Sequence, residues 1–225
     1  MMVSRLIGAL TAGLVFCAQP AAAKDVRAVL ELFTSQGCSS CPPADALLLE
    51  MSARTDLIPL TLPVDYWDYL GWRDTLARPA FTARQKAYSK VRGDRQVYTP
   101  QMIVNGTVAC VGSDRKAVEK ALPPGASLPV AIDTREAGET LTVTVSGPGE
   151  GAEVLVMPVA RSRSVTIGRG ENSGRTATYA NVVLGISRVG AWPGGEARFT
   201  MPLALAKAEG ADFYVVLVQR MRHGK

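Results

Sequence analysis

Residues 34–45 read Thr-Ser-Gln-Gly-Cys-Ser-Ser-Cys-Pro-Pro-Ala-Asp, and few chain arrangements suit them. Ahead of Cys38 and Cys41 runs the apolar stretch Val29-Leu30-Glu31-Leu32-Phe33, which reads as a buried strand. Behind them Ala44, Leu47, Leu48 and Met51 repeat at i, i+3, i+4, i+7, one face of an amphipathic helix. Pro42 and Pro43 are tolerated in a first helical turn, where a missing N–H has no partner to lose. The expectation is a strand ending just before the cysteines and a helix starting on them, with free N–H groups and the positive dipole end beside the sulfurs. That setting favours a thiolate and suits disulfide exchange, with the outer Cys38 attacking and Cys41 resolving. Half of a zinc site and a local structural disulfide are the competing readings.

Composition bears on those alternatives. A closed zinc site wants four Cys or His ligands, but the chain holds four cysteines and one histidine, His223, near its end. No metal and no cofactor are expected. Cys17 also falls in an N-terminal segment with the plan of a secretory signal peptide: a basic start at Arg5, an apolar run over 6–16, and Ala21-Ala22-Ala23 ahead of Lys24. The apolar run is too short to cross a bilayer. Residues 1–23 are thus read as a signal peptide, and the protein as exported, periplasmic or secreted, with no stable membrane anchor. In such a compartment the pair is a disulfide or an enzymatic dithiol. Cys110 is left over and reads as a small buried hydrophobe, with a third redox thiol as the alternative. The net charge of +5 comes without any run of five like charges, so no nucleic-acid partner is expected.

Further along, residues 57–64 form a second strand-like run leading into Asp65-Tyr66-Trp67-Asp68-Tyr69-Leu70-Gly71-Trp72, the most aromatic stretch. Loops at the carboxyl ends of strands line the site of an open α/β sheet. Tyr66 and Trp67 are therefore candidate walls of a substrate groove, with sealing of the core as the alternative. Glu31 and Asp65 are candidate proton relays to the thiols, a role that needs a raised pKa. The alternative for Glu31 is a strand-end carboxylate turned to solvent. A helical stretch over 78–91, Thr99-Pro100, two strand-like runs flanking the hairpin signal Asn105-Gly106, and a short helix capped by Ser113 complete this half.

That order resembles the thioredoxin fold over residues 26–122, on the CxxC opening the first helix and the proline opening the hairpin. The wording of residues 31–43, the Asp65-Tyr66-Trp67 block and Tyr98-Thr99-Pro100-Gln101 are similar to one exported bacterial thioredoxin-like family, the domain of unknown function numbered twelve twenty-three. The resemblance implies a cis Pro100 against the two sulfurs and a Thr99 that offers backbone groups to an extended substrate. It implies a thiol–disulfide oxidoreductase acting on protein or small-molecule thiols and disulfides, with an unidentified redox partner. Ser39-Ser40 stands where thioredoxins carry Gly-Pro or Pro-aromatic pairs, and no aromatic residue precedes Cys38, so the resemblance does not extend to redox poise. Members of the class span about 150 mV. A non-catalytic exported module with a static Cys38–Cys41 disulfide is the other reading.

Beyond a Pro/Gly linker at 123–127 the period changes to two, most clearly in Thr140-Leu141-Thr142-Val143-Thr144-Val145. The fold expected is α/β: a thioredoxin-like domain over 24–122, then a small antiparallel β-sandwich over 128–225. Within the latter, Arg169 and Arg175 mark a Gly-rich segment that is either a solvated hairpin loop or a docking loop facing the thiol groove.

Overall fold

The strand before the cysteines is the centre of a mixed sheet in the computed structural model, which describes residues 26–125, 128–149 and 151–220. β1 (Ala28–Thr34) is buried at every residue. β2 (Leu57–Pro63) pairs with it in parallel and β3 (Gln101–Val104) antiparallel, with β4 (Val108–Val111) beyond β3. Asn105 and Gly106, at φ of 47° and 70°, make the turn between β3 and β4. Side chains alternate across β1. Ala28, Leu30 and Leu32 pack against Ala44, Leu47, Leu48 and Met51 of α1 (Pro42–Met51) and Val118 of α3 (Arg115–Ala121). Val29 and Phe33 face the other way, onto Phe81 and Tyr88 of α2 (Pro79–Arg92). The cap of α3 is Asp114, whose side chain accepts from Ala117 N, one residue later than the Ser113 expected from sequence.

The second half joins this sheet rather than forming a separate unit. β7 (Ala152–Thr166), β8 (Thr176–Val183) and β11 (Phe213–Gln219) extend it to the order β11-β7-β8-β2-β1-β3-β4, with β9 (Ser187–Trp192) also paired to β7. The seam is the parallel β2–β8 contact at Thr61↔Val182. There Thr61 Oγ1 donates to Ala180 O at 2.6 Å and Asn181 Nδ2 donates to Pro59 O at 3.0 Å. Leu155, Met157, Val159, Val183, Val215 and Leu217 share one core with Phe33, Leu60 and Leu62. The boundary expected at 123–127, between residues 24–122 and 128–225, is crossed by this shared sheet and core. The open edge of β2 has backbone N–H and C=O groups that need partners once buried, and β8 supplies them.

The remaining strands, β5 (Ala131–Ala137), β6 (Thr140–Ser146) and β10 (Ala197–Pro202), form a three-stranded antiparallel sheet. Leu141, Val143 and Val145 of β6 pack against Val154, Val156 and Trp192 of the larger sheet. β9 has no clear alternation in sequence. Its Gly190 admits Phe199 so closely that a Cβ there would lie 2.6 Å from the ring. Among the described residues no helix is long and apolar enough to cross a membrane. The expected signal peptide at 1–23, with Cys17, and His223 lie outside the described residues.

Candidate active site

Cys38 and Cys41 form a disulfide with Cα atoms 5.4 Å apart. Two backbone bonds tighten the turn: Cys38 N donates to Ser35 O at 3.1 Å and Cys41 N to Cys38 O at 3.2 Å. Cys41 is the N-cap residue of α1 and makes no side-chain cap, with Pro42 and Pro43 opening the helix behind it. Its carbonyl accepts from Ala44 N and Asp45 N, at 2.9 and 3.1 Å. The disulfide thus lies at the positive end of the α1 dipole. Ser39 and Ser40 are exposed, yet Cys38 is 3% and Cys41 0% exposed. Ser40 Oγ lies 3.4 Å from Cys38 Sγ. A disulfide sulfur carries no hydrogen, so the hydroxyl is the donor.

The aromatic loop lies against this turn and is tied in turn to the Thr99–Pro100 segment. A Cβ on Gly37 would lie 3.2 Å from Trp67 Cβ, so glycine lets the indole sit against the cysteine turn. Trp67 Nε1 donates to Thr99 Oγ1 at 2.7 Å, and the Thr99–Pro100 bond is cis. Tyr66 OH donates to Gln85 Oε1 at 3.3 Å, and burial pushes its phenol up to about 12 against that bond. Gly112 is wedged among Leu32, Ala44 and Pro100, where a Cβ would meet them at 2.6, 3.2 and 3.4 Å. Pro100 and Ala44, in the first turn of α1, thus border the same glycine. Trp67 sits against the cysteine turn and holds Thr99, Tyr66 packs beside Trp67, and Tyr69, 77% exposed, stacks on Trp67 at the rim.

The carboxylates are arranged otherwise than the sequence suggests. Glu31 is 2% exposed rather than turned to solvent. Its two oxygens meet Arg84 Nε at 2.6 Å and Nη2 at 3.2 Å, and Tyr88 OH also donates to it. This pair lies on the α2 face of β1, whereas α1 covers the opposite face. Glu31 neutralises a buried guanidinium and is not placed to relay protons to the thiols. Asp65 accepts from Thr82 Oγ1 at 2.6 Å, tying the aromatic loop to α2. The acid that shares a helix face with Cys41 is Asp45, at i+4. Thr34 Oγ1 donates to it at 2.7 Å, and it is 6% exposed. Burial pushes its carboxyl up to about 7, opposed by the Thr34 bond and helped by the negative charge of Asp74.

Asp74 accepts from Gln36 N at 2.8 Å, Leu76 N at 2.9 Å and Ala77 N at 3.1 Å. Burial still raises its pKa against those bonds. Burial and then the two carboxylates likewise raise the phenol of Tyr179, on β8. In sequence Asp45 is only an acid in a first helical turn, the residue any helix dipole attracts. Its burial depends on β8, which is far away in the chain.

The loop over 167–175, between β7 and β8, lies on the cysteine turn. The side chains that reach the turn are not Arg169 and Arg175, which are exposed, but Glu171 and Asn172. Asn172, 2% exposed, donates through Nδ2 to Gln36 O at 3.0 Å and to Cys38 O at 2.8 Å. Glu171 Oε2 accepts from Ser39 N at 3.3 Å. Trp72, whose Nε1 donates to Gln36 Oε1 at 2.8 Å, fills the space beneath Gly168 and Gly170. Cys110 is half-buried, and burial, then Asp114, pushes its thiol up to about 11. Among the described residues no group of three or more His, Cys, Asp or Glu side chains is arranged to hold a metal.

The family model described as "Protein of unknown function (DUF1223)" matches residues 29–219. A crystal structure of an Agrobacterium tumefaciens protein, solved in a structural-genomics programme, is 31% identical, with a TM-score of 0.71 over 90% of this chain and 97% of that one. A host-selective toxin of Pyrenophora tritici-repentis is similar at a TM-score of 0.25 and 13% identity, over 41% of this chain and 74% of that one. No curated protein matches.

Proposed function

The chain belongs to the DUF1223 family, and for this member we propose an exported thiol–disulfide oxidoreductase built on a thioredoxin-like arrangement. The observation that carries the reading is the place of the disulfide, on the free N–H end of α1 with a buried, titratable Asp45 one turn further in. A helix N-terminus stabilises a thiolate, and a carboxyl near neutrality takes up and returns a proton. A static staple has use for neither.

In the reducing direction, the Cys38 thiolate attacks one sulfur of a substrate disulfide, and the other substrate sulfur leaves as a thiolate. Asp45 takes the proton of Cys41. The Cys41 thiolate then attacks Cys38 Sγ, restoring the Cys38–Cys41 bond and releasing the second substrate thiolate. Two electrons pass from the pair to the substrate, and a partner dithiol returns them. The oxidising direction is the reverse, with the disulfide accepting two electrons from a substrate dithiol. Trp67 and Thr99 line the approach.

Insulin reduction and oxidation of a reduced protein, assayed side by side, test this reading. Turnover in at least one is expected, lost in Cys38→Ser, and absence of both overturns it. The near-complete burial of both cysteines favours a second reading, a non-catalytic exported module with a structural disulfide. A reduction potential below about −300 mV marks that reading.

A further inference from the structure

The segment between β7 and β8 is built as a closed cap rather than an open hairpin. Ile167 N donates to Arg175 O at 2.9 Å and Gly174 N to Ile167 O at 2.8 Å. Ser173 N donates to Gly170 O at 3.1 Å and Ser173 Oγ to Gly168 O at 3.1 Å. Its outward contacts converge on one place. Gly168 and Gly170 rest on Trp72, Glu171 meets Ser39 N, and the Asn172 amide bridges Gln36 O and Cys38 O. Cys38 O already accepts from Cys41 N, so Asn172 takes the remaining lone pair of the carbonyl at the centre of the turn. The amide cannot be turned round, since its oxygen would then face two carbonyl oxygens. The oxygen in its present place is buried without a partner.

Disulfide exchange needs a sulfur that an incoming thiolate can reach. Cys38 offers 3% of its surface and Cys41 none, although the two serines between them are exposed. Trp67 closes the turn on the Gly37 side, and the 167–175 cap holds the carbonyl side. The cap belongs to the second half of the chain and is joined to the turn by side-chain hydrogen bonds. It is the element that can leave without unpairing the central strands.

We propose that Asn172 is a positioning residue of the thiol site and that the 167–175 loop it anchors is a size-selective cap, admitting small thiols to Cys38 and holding back protein thiols until it lifts. This rests on the oxidoreductase reading for its biological use, but not for its test. A cap open about a tenth of the time slows a reactant that needs it open about tenfold, and leaves one that slips past it unaffected. Asn172→Ala removes both bonds to the turn and leaves the cysteines untouched.

The experiment measures second-order rates of reduction of the Cys38–Cys41 bond, followed by free thiol, with dithiothreitol as the small reductant and reduced thioredoxin as the protein dithiol. In Asn172→Ala the rate with the protein dithiol is expected to rise by up to about tenfold, and that with dithiothreitol much less. The ratio of the two rates is the readout. A ratio unchanged within about twofold overturns the cap, because a variant that merely loosened the fold would expose the bond to both reductants alike. Glu171→Ala, at an exposed position, is the second variant should Asn172→Ala not fold. It is expected to move the ratio in the same direction by a smaller factor, and no movement overturns the cap. Arg169→Ala is the control, with no change expected. The rate ratio is measured whether or not the protein turns over insulin, so failure of the oxidoreductase reading and failure of the cap are separate results.

Discussion

Asp45 and Glu31 are both buried acids within the same half of the fold, and their surroundings give them opposite roles. Glu31 is held by Arg84 and Tyr88, so its charge is part of the packing. Glu31→Gln leaves a nearly buried guanidinium without its counter-charge, a loss of about 3 to 5 kcal/mol. Urea denaturation is expected to show that loss, while insulin turnover by the folded protein stays unchanged. A turnover loss larger than the unfolded fraction explains would restore Glu31 as a relay.

Asp45 is the converse case. Its carboxyl is raised from 3.8 to about 7, so its contribution to stability is fully present below about pH 4 and is lost as pH rises through about 7. Fully ionised, it costs roughly 4 kcal/mol relative to its neutral form. Asn keeps an acceptor for Thr34 and cannot ionise. Asp45→Asn is therefore expected to lose less stability than the native chain between about pH 4 and pH 8, measured by urea midpoints at each pH. Equal losses in the two proteins would show that Asp45 titrates normally. Ser40, donating to Cys38 Sγ, is expected to help hold the reduced thiolate. Alkylation of reduced Cys38 by iodoacetamide at neutral pH should slow several-fold in Ser40→Ala, and an unchanged rate would remove the hydroxyl from the site.

At the scale of elements, the site is a junction of three pieces whose spacing is set by small residues. Gly37 lets the aromatic loop approach the cysteine turn, and Gly112 lets the end of β4 approach both α1 and Pro100. Gly112 needs no special backbone angle, so its role is space alone. Adding one methyl in Gly112→Ala crowds Leu32, Ala44 and Pro100, and overpacking of this kind costs about 1 to 3 kcal/mol. Urea denaturation should show that loss, together with a changed reactivity of the Cys38–Cys41 bond toward dithiothreitol. A stability within error of the native value would mean that the three neighbours separate freely.

The whole molecule depends on the seam between β2 and β8. Leu155, Met157, Val159, Val183, Val215 and Leu217 complete the core that Phe33, Leu60 and Leu62 begin. A chain ending at residue 122 would expose that apolar face together with the open edge of β2. Such a fragment is expected to be unfolded or aggregated, with dispersed amide signals absent from its NMR spectrum. A soluble, folded fragment would show that the first half carries its own core. The cap over the cysteines belongs to this scale too, because it brings residues of the second half onto the thiol turn.

The features readable along the chain are local ones. The strand, the paired cysteines, the two prolines and the helix follow from rules acting over four or five residues, as does the Asn105-Gly106 turn. The aromatic loop was a candidate wall because it follows a strand in an α/β order, and Thr99-Pro100 was one only through the resemblance to thioredoxins. Which acid is buried at the start of α1, which loop reaches the cysteine turn and how the two halves share a sheet come from long-range packing. Those answers depend on desolvation and edge pairing, which sum over every element packed on a residue. Asp45 becomes a titrating group because burial and, to a smaller extent, the charge of Asp74 raise its carboxyl, and Asn172 acquires its role because β8 pairs with β2. Neither influence leaves a periodic trace in the residues near the cysteines.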